Sequence, residues 1–286
     1  MKILVTGSNG YLGQGIVKNI LDKNVQVLAV DIKTEKIDKR AQIIKTDIFD
    51  LENPYEALNR PDVLLHLAWR DGFVHDSDVH IDDLPKHYHF IKKMISSGVD
   101  RVTIMGSMHE IGFYEGCVHE NTPCNPMNLY GIAKVALKNA IEELAQKNNT
   151  NFQWLRGYYI VGNSKTGNSI FSKITQAESN NKKEFPFTMG QNQFDFLDYQ
   201  SFCDRVAETV CQDEINGIID ICSGKPEKLA DRVEKFIIDN HYHIKLKYGA
   251  YPDRLYDSKA IWGDNKKIIQ ILKNKGQNAV QDNEKK

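Results

Sequence analysis

The stretch KILVTGSNGYLGQG at residues 2–15 decides the fold of this chain. The apolar run at 3–6 predicts a short buried strand, and the glycines after it open a helix. Gly7, Gly10 and Gly13 stand at GxxGxxG spacing. A glycine turn between a strand and a helix lets backbone amides approach a pyrophosphate, with the positive end of the helix dipole beneath it. The stretch therefore predicts a dinucleotide-binding β-turn-α unit.

Strand and helix signals alternate through the rest of the first half of the sequence. Strands are predicted at residues 25–31, 43–46, 63–68, 102–106 and 152–155, and helices at 16–21, 87–97 and 130–146. Buried strands separated by helices indicate a doubly wound parallel sheet, so we expect an α/β fold of the Rossmann type. Further helices at 170–178, 202–210 and 229–238 alternate with short strands at 218–221 and 244–248. They predict a small C-terminal α/β lobe.

These signals predict a division of the chain into two parts. We expect residues 1–165 to form the dinucleotide-binding Rossmann domain, with 192–222 returning to it. Residues 166–191 and 223–286 are expected to form a small substrate-binding lobe. The polar composition of the tail at 275–286 predicts disorder.

Composition limits the classes of partner. Of 286 residues, 41% are hydrophobic and 26% charged, and the net charge is −1, which gives no electrostatic footprint for nucleic acid. No apolar run reaches the ~18 residues of a membrane span, and the first residues lack the pattern of a signal peptide. The five cysteines are scattered, which is typical of reduced thiols. We therefore expect a cytoplasmic protein that binds neither nucleic acid nor membrane.

Two acidic residues end predicted strands close to the glycine turn. Asp31 lies about 20 residues after the glycines, where an acid can bond both ribose hydroxyls of an adenosine. It would repel a 2′-phosphate, so NAD is favoured over NADP, although the neighbouring Lys33 keeps NADP open. Asp47 ends the third strand and is placed to approach the adenine. A solvated acid at a strand end is the alternative interpretation of Asp31.

Tyr130 and Lys134 stand four residues apart in YGIAK, at the start of a predicted helix. This spacing places both side chains on one helical face. A nearby ammonium favours the phenolate and lowers the tyrosine pKa, which suits acid-base catalysis near neutral pH. Ser107 follows a predicted strand and can donate a hydrogen bond to a carbonyl or alkoxide oxygen. We predict Ser107, Tyr130 and Lys134 as a catalytic group, with an amphipathic helix face as the alternative for the YxxxK pair.

Together these motifs resemble the extended short-chain dehydrogenase/reductases, the group of NAD-dependent nucleotide-sugar epimerases, dehydratases and reductases. The resemblance spans residues 1 to about 270. GSNGYLG at 7–13 matches the TGxxGxxG loop, HLAW at 66–69 the H-x-A-A strand, and NPMNLYGIAK at 125–134 the P-x-S-x-YGxSK segment. LRGYYIVG at 155–162 and IIDICSGKP at 218–226 resemble two later segments. The catalytic segment is most similar to bacterial dTDP-4-dehydro-6-deoxyglucose reductase-like members.

The resemblance implies which residues meet the ligands. NAD, with NADP possible, is expected to contact Gly7, Asn9, Gly10, Tyr11, Leu12, Gly13, Asp31, Asp47, Ile48, Leu67, Ala68, Tyr130 and Lys134. A nucleotide-sugar substrate is expected to contact Trp69, Ser107, Met108, His109 and Arg254. Arg254, Asp257, Asp264 and Lys267 keep a family spacing in which the arginine binds the sugar-nucleotide diphosphate. A surface ion-pair cluster is the alternative interpretation of that spacing.

Several positions depart from the family pattern. Dehydratases of the group carry Thr-Asp-Glu where this chain has Ser107-Met108-His109, so the acid-base pair for eliminating water is missing. His109 is predicted either as a proton donor to a sugar carbon, and so as a fourth catalytic residue, or as a polar residue lining the pocket. FDF at 194–196 replaces an RDF segment and its substrate arginine. The histidines at 66–89 lack the spacing of a zinc site, so no metal is expected.

The sequence leaves three functions open. The first is NAD(P)H-dependent reduction of the 4-keto group of a nucleotide-activated 4-keto-6-deoxyhexose, for bacterial surface polysaccharide. The second is a nucleotide-sugar 4-epimerase that keeps NAD bound. The third is a catalytically silent NAD-sensing or scaffold protein, which the presence of Ser107, Tyr130 and Lys134 together disfavours.

The resemblance also implies a homodimer. The helices predicted at 87–97 and 130–146 correspond to those that form a four-helix interface in the family. The outer face of the second helix is expected to include Ile132, Val135, Ala136, Ile141 and Leu144. Such a face is more apolar than the surface of a monomer requires.

Overall fold

The computed structural model describes residues 1–162, 169–252 and 257–283. Along the chain the elements are β1 (Lys2–Thr6), α1 (Tyr11–Leu21), β2 (Gln26–Asp31), β3 (Gln42–Lys45), α2 (Pro54–Ala57), β4 (Val63–His66), α3 (Val79–Asp82), α4 (Leu84–Ser96), β5 (Arg101–Ser107), β6 (Gly116–Val118), α5 (Leu129–Lys147), β7 (Asn151–Gly157), β8 (Tyr159–Val161), α6 (Ile170–Ser179), β9 (Glu184–Pro186), β10 (Gln193–Asp198), α7 (Tyr199–Val210), β11 (Gly217–Ile221), β12 (Pro226–Lys228), α8 (Leu229–Asp239), β13 (Lys245–Lys247), β14 (Ala260–Gly263) and α9 (Lys266–Asn283). Short 3-10 helices follow β3 at Ile48–Asp50 and β5 at Met108–Glu110.

Seven strands form one parallel sheet in the order β11-β7-β5-β4-β1-β2-β3. Strands β4 and β5 are buried at every position. Burial on both faces is expected, because helices cover both sides of a doubly wound sheet. Helices α1, α7 and α9 pack on one face, and α4 and α5 on the other. The predicted Rossmann-type α/β fold is confirmed.

The strand order reverses between β1 and β4, at the centre of the sheet. From β1 the chain winds outward through β2 and β3, and it then returns to β4 and winds the other way. Ligands of open α/β sheets bind at the carboxyl ends of the strands at such a reversal. The glycine turn after β1 and residues 66–69 at the end of β4 meet there. The fold therefore brings the two predicted cofactor-binding segments to one crevice.

A second, smaller sheet has the order β12-β10-β14-β6, and β8 also pairs with β10. Strand β10 is parallel to β8 and β14 but antiparallel to β12. The hydrophobic core beside this sheet contains five buried phenylalanines, Phe171, Phe187, Phe194, Phe196 and Phe236. The small lobe therefore has a hydrophobic core of its own.

Several segments lie in a different part of the fold from that predicted. Strands β6 and β8 belong to the second sheet although they fall within residues 1–165. Strand β10 also belongs to it, so from residues 192–222 the parts that pack with the Rossmann sheet are α7 and β11. Helix α9 was assigned to the lobe, yet Ile268 and Ile271 pack into the Rossmann core. Strands of three residues carry too little alternation to indicate which sheet they join.

The disorder predicted for the tail stays a prediction at residues 275–283. Helix α9 continues through them to Asn283. The segment contains no proline, and a helix that has already begun at Lys266 extends without a new nucleation step. Low hydrophobicity indicated that these residues do not form a core, but it did not exclude the extension of a packed helix.

No helix within the described ranges combines the length and apolar content that crossing a bilayer requires. The five cysteines are free thiols, and two of them, Cys203 and Cys222, are buried. The prediction of unpaired cysteines is thereby confirmed.

The outer surface of α5 is less apolar than the sequence predicted. Ile141 is fully buried, because it shares the inward stripe of Leu137 and Ala145 at four-residue spacing. Its assignment to the outer face was wrong. Ile132 is 44% exposed, and Val135 is half-buried. The surface still presents a large aliphatic side chain on a helix that packs against α4.

We predict that two copies associate through α4 and α5 and that Ile132→Glu shifts the protein to monomer, because it places a charge in an apolar interface. Sedimentation velocity at micromolar concentration measures the shift. Ile238→Glu is the matched control, since Ile238 is a 70% exposed isoleucine on α8 and its exchange should leave the dimer intact. Wild-type protein that sediments only as a monomer contradicts the prediction.

Candidate active site

The glycine turn forms a tight backbone cradle at the reversal of the sheet. Gly7 has φ of +68°, and a Cβ on it would lie 2.7 Å from the amide nitrogen of Ala68. A Cβ on Gly13 would lie 2.2 Å from the Gly7 carbonyl oxygen. Helix α1 begins at Tyr11 with Gly10 as its N-cap, and no side chain caps it. Its first amides are therefore available to a ligand, and the cradle fits the pyrophosphate of a dinucleotide.

Asp31 joins the end of β2 to this turn. One carboxylate oxygen accepts a hydrogen bond from the Asn9 amide at 3.0 Å, and the other accepts one from the Lys33 amide at 3.2 Å. A carboxylate has about four acceptor positions, so two remain for ribose hydroxyls. Asp47 accepts a hydrogen bond from the Phe49 amide at 2.9 Å and so caps a 3-10 helix. Its predicted contact with the adenine stays a prediction.

Four further residues predicted to bind the cofactor pack against the hydrophobic cores on the two faces of the sheet. Leu12 and Leu67 are half-buried against the core that α1 and α7 share, Ala68 packs against the core on the α4 face, and Ile48 is buried. The Tyr11 hydroxyl lies against Gly162, where a Cβ would meet it at 2.1 Å. Burial raises the pKa of Tyr11 to about 12, so this phenol is neutral.

The predicted catalytic residues meet at the carboxyl end of β5. Ser107 lies beside Tyr130 and favours its phenolate, and Lys134 donates to the Met105 carbonyl oxygen at 2.8 Å. Burial raises the pKa of Tyr130 above its usual range, and the nearby Glu110 carboxylate raises it further. The net direction of the shift is opposite to the lowering by Lys134 that the sequence predicted. A phenol in this setting stays protonated and can donate its proton.

Burial has the opposite effect on Lys134, because it disfavours a cation. The side chain is 3% exposed, and burial lowers the pKa of its ammonium to about 7. Glu110 opposes this shift. At neutral pH the charged form of Lys134 is therefore only marginally favoured.

Glu110 is a site residue that was not predicted. It is fully buried, and one of its oxygens accepts from the Ser107 amide at 2.6 Å. Both oxygens accept from the Trp154 indole, at 2.9 and 3.0 Å. Ser107 accepts in turn from the His109 amide at 3.2 Å, which completes a capping box. The S-x-x-E spacing was the signal that could have indicated it.

Aromatic rings surround Tyr130, and we call the four nearest the ring cluster. Its members, with their centroid distances from the Tyr130 ring, are His80 (5.2 Å), His75 (5.5 Å), Trp69 (6.0 Å) and His109 (6.0 Å). The His75 carbonyl oxygen also accepts from the Tyr130 amide at 2.8 Å. His75 and His80 were not predicted as site residues, and the density of histidines at 66–89 was the only signal for them. Within the described ranges, no three His, Cys, Asp or Glu side chains are placed to hold a metal ion.

His109 lies at the edge of the catalytic group, with its ring centroid 4.0 Å from that of His75. Burial lowers the pKa of His109 to about 4, and the neighbouring His75 adds to the shift. The imidazole is therefore neutral at neutral pH. This favours the pocket-lining interpretation of His109 over that of a proton donor. Met108, beside it, is buried and apolar.

The C-terminal substrate pattern is only partly described. Arg254 lies outside the described residues. Asp264 accepts from the His119 ring at 2.9 Å, and Lys267 donates to the Ile218 carbonyl oxygen at 3.1 Å and pairs with Glu120. These two members of the spacing therefore join the start of α9 to β11 and to the loop after β6.

A dinucleotide cradle and a Ser-Tyr-Lys group on one Rossmann sheet define an enzyme of the extended short-chain dehydrogenase/reductase type. Residues 3–222 match the model of the NAD dependent epimerase/dehydratase family. The chain belongs to that family, and it is an NAD-dependent enzyme.

Known proteins resemble the chain in sequence and in fold. The dTDP-6-deoxy-L-talose 4-dehydrogenase (NAD(+)) of Aggregatibacter actinomycetemcomitans is 39% identical over 269 residues, which cover 92% of this chain and 99% of that protein. A UDP-glucose 4-epimerase structure from Thermotoga maritima, with UDP-glucose, matches with a TM-score of 0.80 at 20% identity and covers 94% of this chain and 92% of that one. A UDP-N-acetylglucosamine 4-epimerase from Methanobrevibacter ruminantium, in complex with UDP-N-acetylmuramic acid, has a TM-score of 0.78 at 20% identity and covers 94% and 91%. The structural matches show a shared fold.

The position of Asp31 predicts tighter binding of NADH than of NADPH. Asp31→Asn keeps an acceptor for the Asn9 amide but removes the charge, and it should reduce the affinity ratio by roughly tenfold, because a hydrogen bond to a charged group is stronger by about 1.5 kcal/mol. Isothermal titration with both cofactors measures the ratio, and Lys33→Ala tests the neighbouring cation. Equal affinity of the wild type for NADPH is the outcome against this assignment.

Proposed function

We propose that this enzyme reduces the 4-keto group of a nucleotide-activated 4-keto-6-deoxyhexose, for example dTDP-4-dehydro-6-deoxyglucose, with NADH. The observation that carries the proposal is a protonated Tyr130 that lies next to Ser107 and Lys134, beside the dinucleotide cradle. The 39% identical relative is named as a dehydrogenase at C4 of a dTDP-6-deoxyhexose, and keto reduction is the reverse of that oxidation. The product would be a 6-deoxyhexose donor for bacterial surface polysaccharide.

Each catalytic side chain has one role in this proposal. The glycine turn and Asp31 would hold NADH, which when bound would supply the hydride that reduces the sugar C4. Tyr130 donates its phenolic proton to the oxygen on that carbon as the oxygen becomes an alkoxide. Ser107 accepts from the His109 amide, so its own hydroxyl proton is available to the same oxygen.

Lys134 acts after the proton has left Tyr130. Transfer of the proton creates a phenolate in a buried site, which is costly unless a cation lies near. The Lys134 ammonium is 5.6 Å from the Tyr130 ring centroid and can stabilise that phenolate. The donors that Met105 leaves free can bind the nicotinamide ribose hydroxyls.

The chemistry of residues 107–109 supports reduction over elimination of water. Elimination requires an acid and a base at the positions of Met108 and His109. Met108 has no titratable group, and His109 is held neutral by burial. A 4,6-dehydratase would lack its acid-base pair in this site.

A 4-epimerase is the second candidate, and the likeness to two solved 4-epimerases favours it. The two candidates share Ser107, Tyr130 and Lys134 but differ in what happens to the cofactor. A reductase should release NAD and consume NADH stoichiometrically with the keto-sugar, whereas an epimerase should purify with NAD bound. Assay of nucleotide released from the denatured, freshly purified protein decides between them.

We predict that Tyr130→Phe lowers kcat by ~10²–10⁴-fold, since it removes the transferred proton. Affinity for the cofactor should persist, because the glycine turn and Lys134 remain. Tyr88→Phe, which removes a phenol on α4 away from the site, is the control and should keep kcat unchanged. Near-normal turnover by Tyr130→Phe on NDP-4-keto-6-deoxysugars would overturn the mechanism and favour a different proton donor, such as His109.

Ser107→Ala should lower kcat less than Tyr130→Phe, because it removes a hydrogen bond and not the proton. Lys134→Met should lower both kcat and the affinity for the cofactor, since one charge serves both. The three side chains share one reacting centre, so their effects should not add in double variants. Single-turnover kinetics and a cofactor Kd for each variant measure these differences.

A further inference from the structure

Trp69 lies directly beneath the Lys134 ammonium. The Lys134 Nζ atom is 3.7 Å from the centroid of the Trp69 ring, well inside the ~6 Å limit of a cation–π contact. The lysine side chain is 3% exposed, and such contacts strengthen when water is excluded. Trp69 was expected to contact the sugar, but the described structure places it against the catalytic lysine.

Two histidines fix the indole in this position. The Trp69 Nε1 donates to His80 Nδ1 at 3.0 Å. Because His80 Nδ1 accepts, its Nε2 carries the proton and donates to the Val74 carbonyl oxygen at 2.9 Å. The His87 ring stacks on the indole with centroids 4.4 Å apart and planes inclined by 13°. The hydrogen bond to His80 therefore holds the edge of the indole, and the ring of His87 packs on its face.

The imidazoles next to the indole are neutral. His66 Nδ1 lies 2.9 Å from the Thr6 hydroxyl, and His66 Nε2 lies 2.9 Å from His87 Nδ1. The Thr6 oxygen already accepts from two backbone amides, so its proton is free to point to His66, which then donates to His87. Burial lowers the pKa of His66 well below its usual range and that of His87 to about 3. No imidazolium thus competes with the lysine for the indole.

We propose that Trp69 is a positioning residue whose indole face holds the Lys134 ammonium, charged and beside Tyr130, before the cofactor binds. This inference rests on the proposed function for the role of Lys134 in the reaction. The indole supplies a second attraction, besides the hydrogen bond to the Met105 carbonyl oxygen. Together the two contacts fix the ammonium where a developing phenolate and the ribose hydroxyls both need it.

Four titratable groups face Lys134 from the surrounding elements. Glu110, in the turn after β5, favours the ammonium. His66 at the end of β4 and His87 on α4 are neutral, and Tyr130 on α5 is a protonated phenol. Burial brings the pKa of Lys134 to about 7, so a small loss of attraction changes its charge at neutral pH. Because a cation–π contact favours the charged form, weakening it lowers this pKa.

The test replaces Trp69 by tryptophan analogues with one, two and three ring fluorines, which weaken the attraction of the ring for a cation and nearly keep its shape. The pKa of Lys134 is followed by NMR of lysine labelled at the side-chain nitrogen. We expect it to fall stepwise, by roughly one unit with three fluorines. The charged fraction at pH 7 then falls from about half to about a tenth, and the affinity for NAD should weaken roughly fivefold.

The same analogues at Trp262, in β14 of the second sheet, are the matched control and should leave both values unchanged. A Lys134 pKa that does not move along the Trp69 series overturns the proposal. These readouts need no sugar substrate, so they judge Trp69 even if the reductase assignment fails. A wild-type enzyme that oxidises no NADH with NDP-4-keto-6-deoxysugars would reject that assignment and leave the NMR result standing.

Trp69→Phe and Trp69→Leu separate positioning from space filling. Phenylalanine keeps an aromatic face and loses the bond to His80, whereas leucine loses both. We expect Trp69→Phe to retain most of the wild-type kcat, with kcat falling above the same pH as in the wild type. In Trp69→Leu the fall of kcat with rising pH should begin at a lower pH. Equal loss in both variants, with the same Lys134 pKa, shows that the indole only fills space.

Discussion

The hydroxyl of Thr6 is the contact on which the geometry of the site depends. Its oxygen accepts hydrogen bonds from the amides of Leu67 and Ala68, both at 3.2 Å, and lies 2.9 Å from the ring of His66. It is fully buried and joins the end of β1 to the end of β4 at the reversal of the sheet. Gly7 follows at once, where any side chain would collide with Ala68. The Thr6 side chain thus holds both the cofactor cradle and the backbone just before Trp69, a member of the ring cluster.

Charge in this site is confined to a few groups in a setting from which water is excluded. Glu110 lies 3.7 Å from the Arg156 guanidinium, which pairs with Asp220 at 3.2 Å, and all three are buried. Buried ions are stable when they are paired, and breaking such a pair is strongly destabilising. Burial raises the pKa of Glu110, and the Arg156 guanidinium opposes that shift and so favours an anion behind Ser107 and Tyr130. That anion favours a protonated phenol, which is the form a reductase needs at the start of its reaction.

The sequence predicted the sheet and the cofactor cradle because both depend on local patterns. The glycine spacing, the buried strands and the YxxxK pair each lie within a few residues of one another. The environment of the catalytic pair was not predicted. Whether Lys134 meets Tyr130 or Trp69 depends on how α5 sits over β4, and whether the phenol pKa rises or falls depends on burial. Glu110 had a local signal in its capping-box spacing. Nothing in the sequence around Trp69 indicated whether its side chain lines the pocket or supports the lysine.

The buried pair of His66 and His87 makes the fold sensitive to acid. In an unfolded chain an imidazole takes up a proton near pH 6.5, whereas in the folded chain His87 stays neutral down to about pH 3. Between these values the unfolded chain binds a proton that the folded chain does not, so the free energy of unfolding falls as the pH falls. Below about pH 6.5, His87 alone lowers the free energy of unfolding by about 1.4 kcal/mol for each pH unit. Above that pH the imidazole is neutral in both states, so the loss disappears. Acidification therefore destabilises this fold through the junction of β4 and α4, which supports the catalytic lysine.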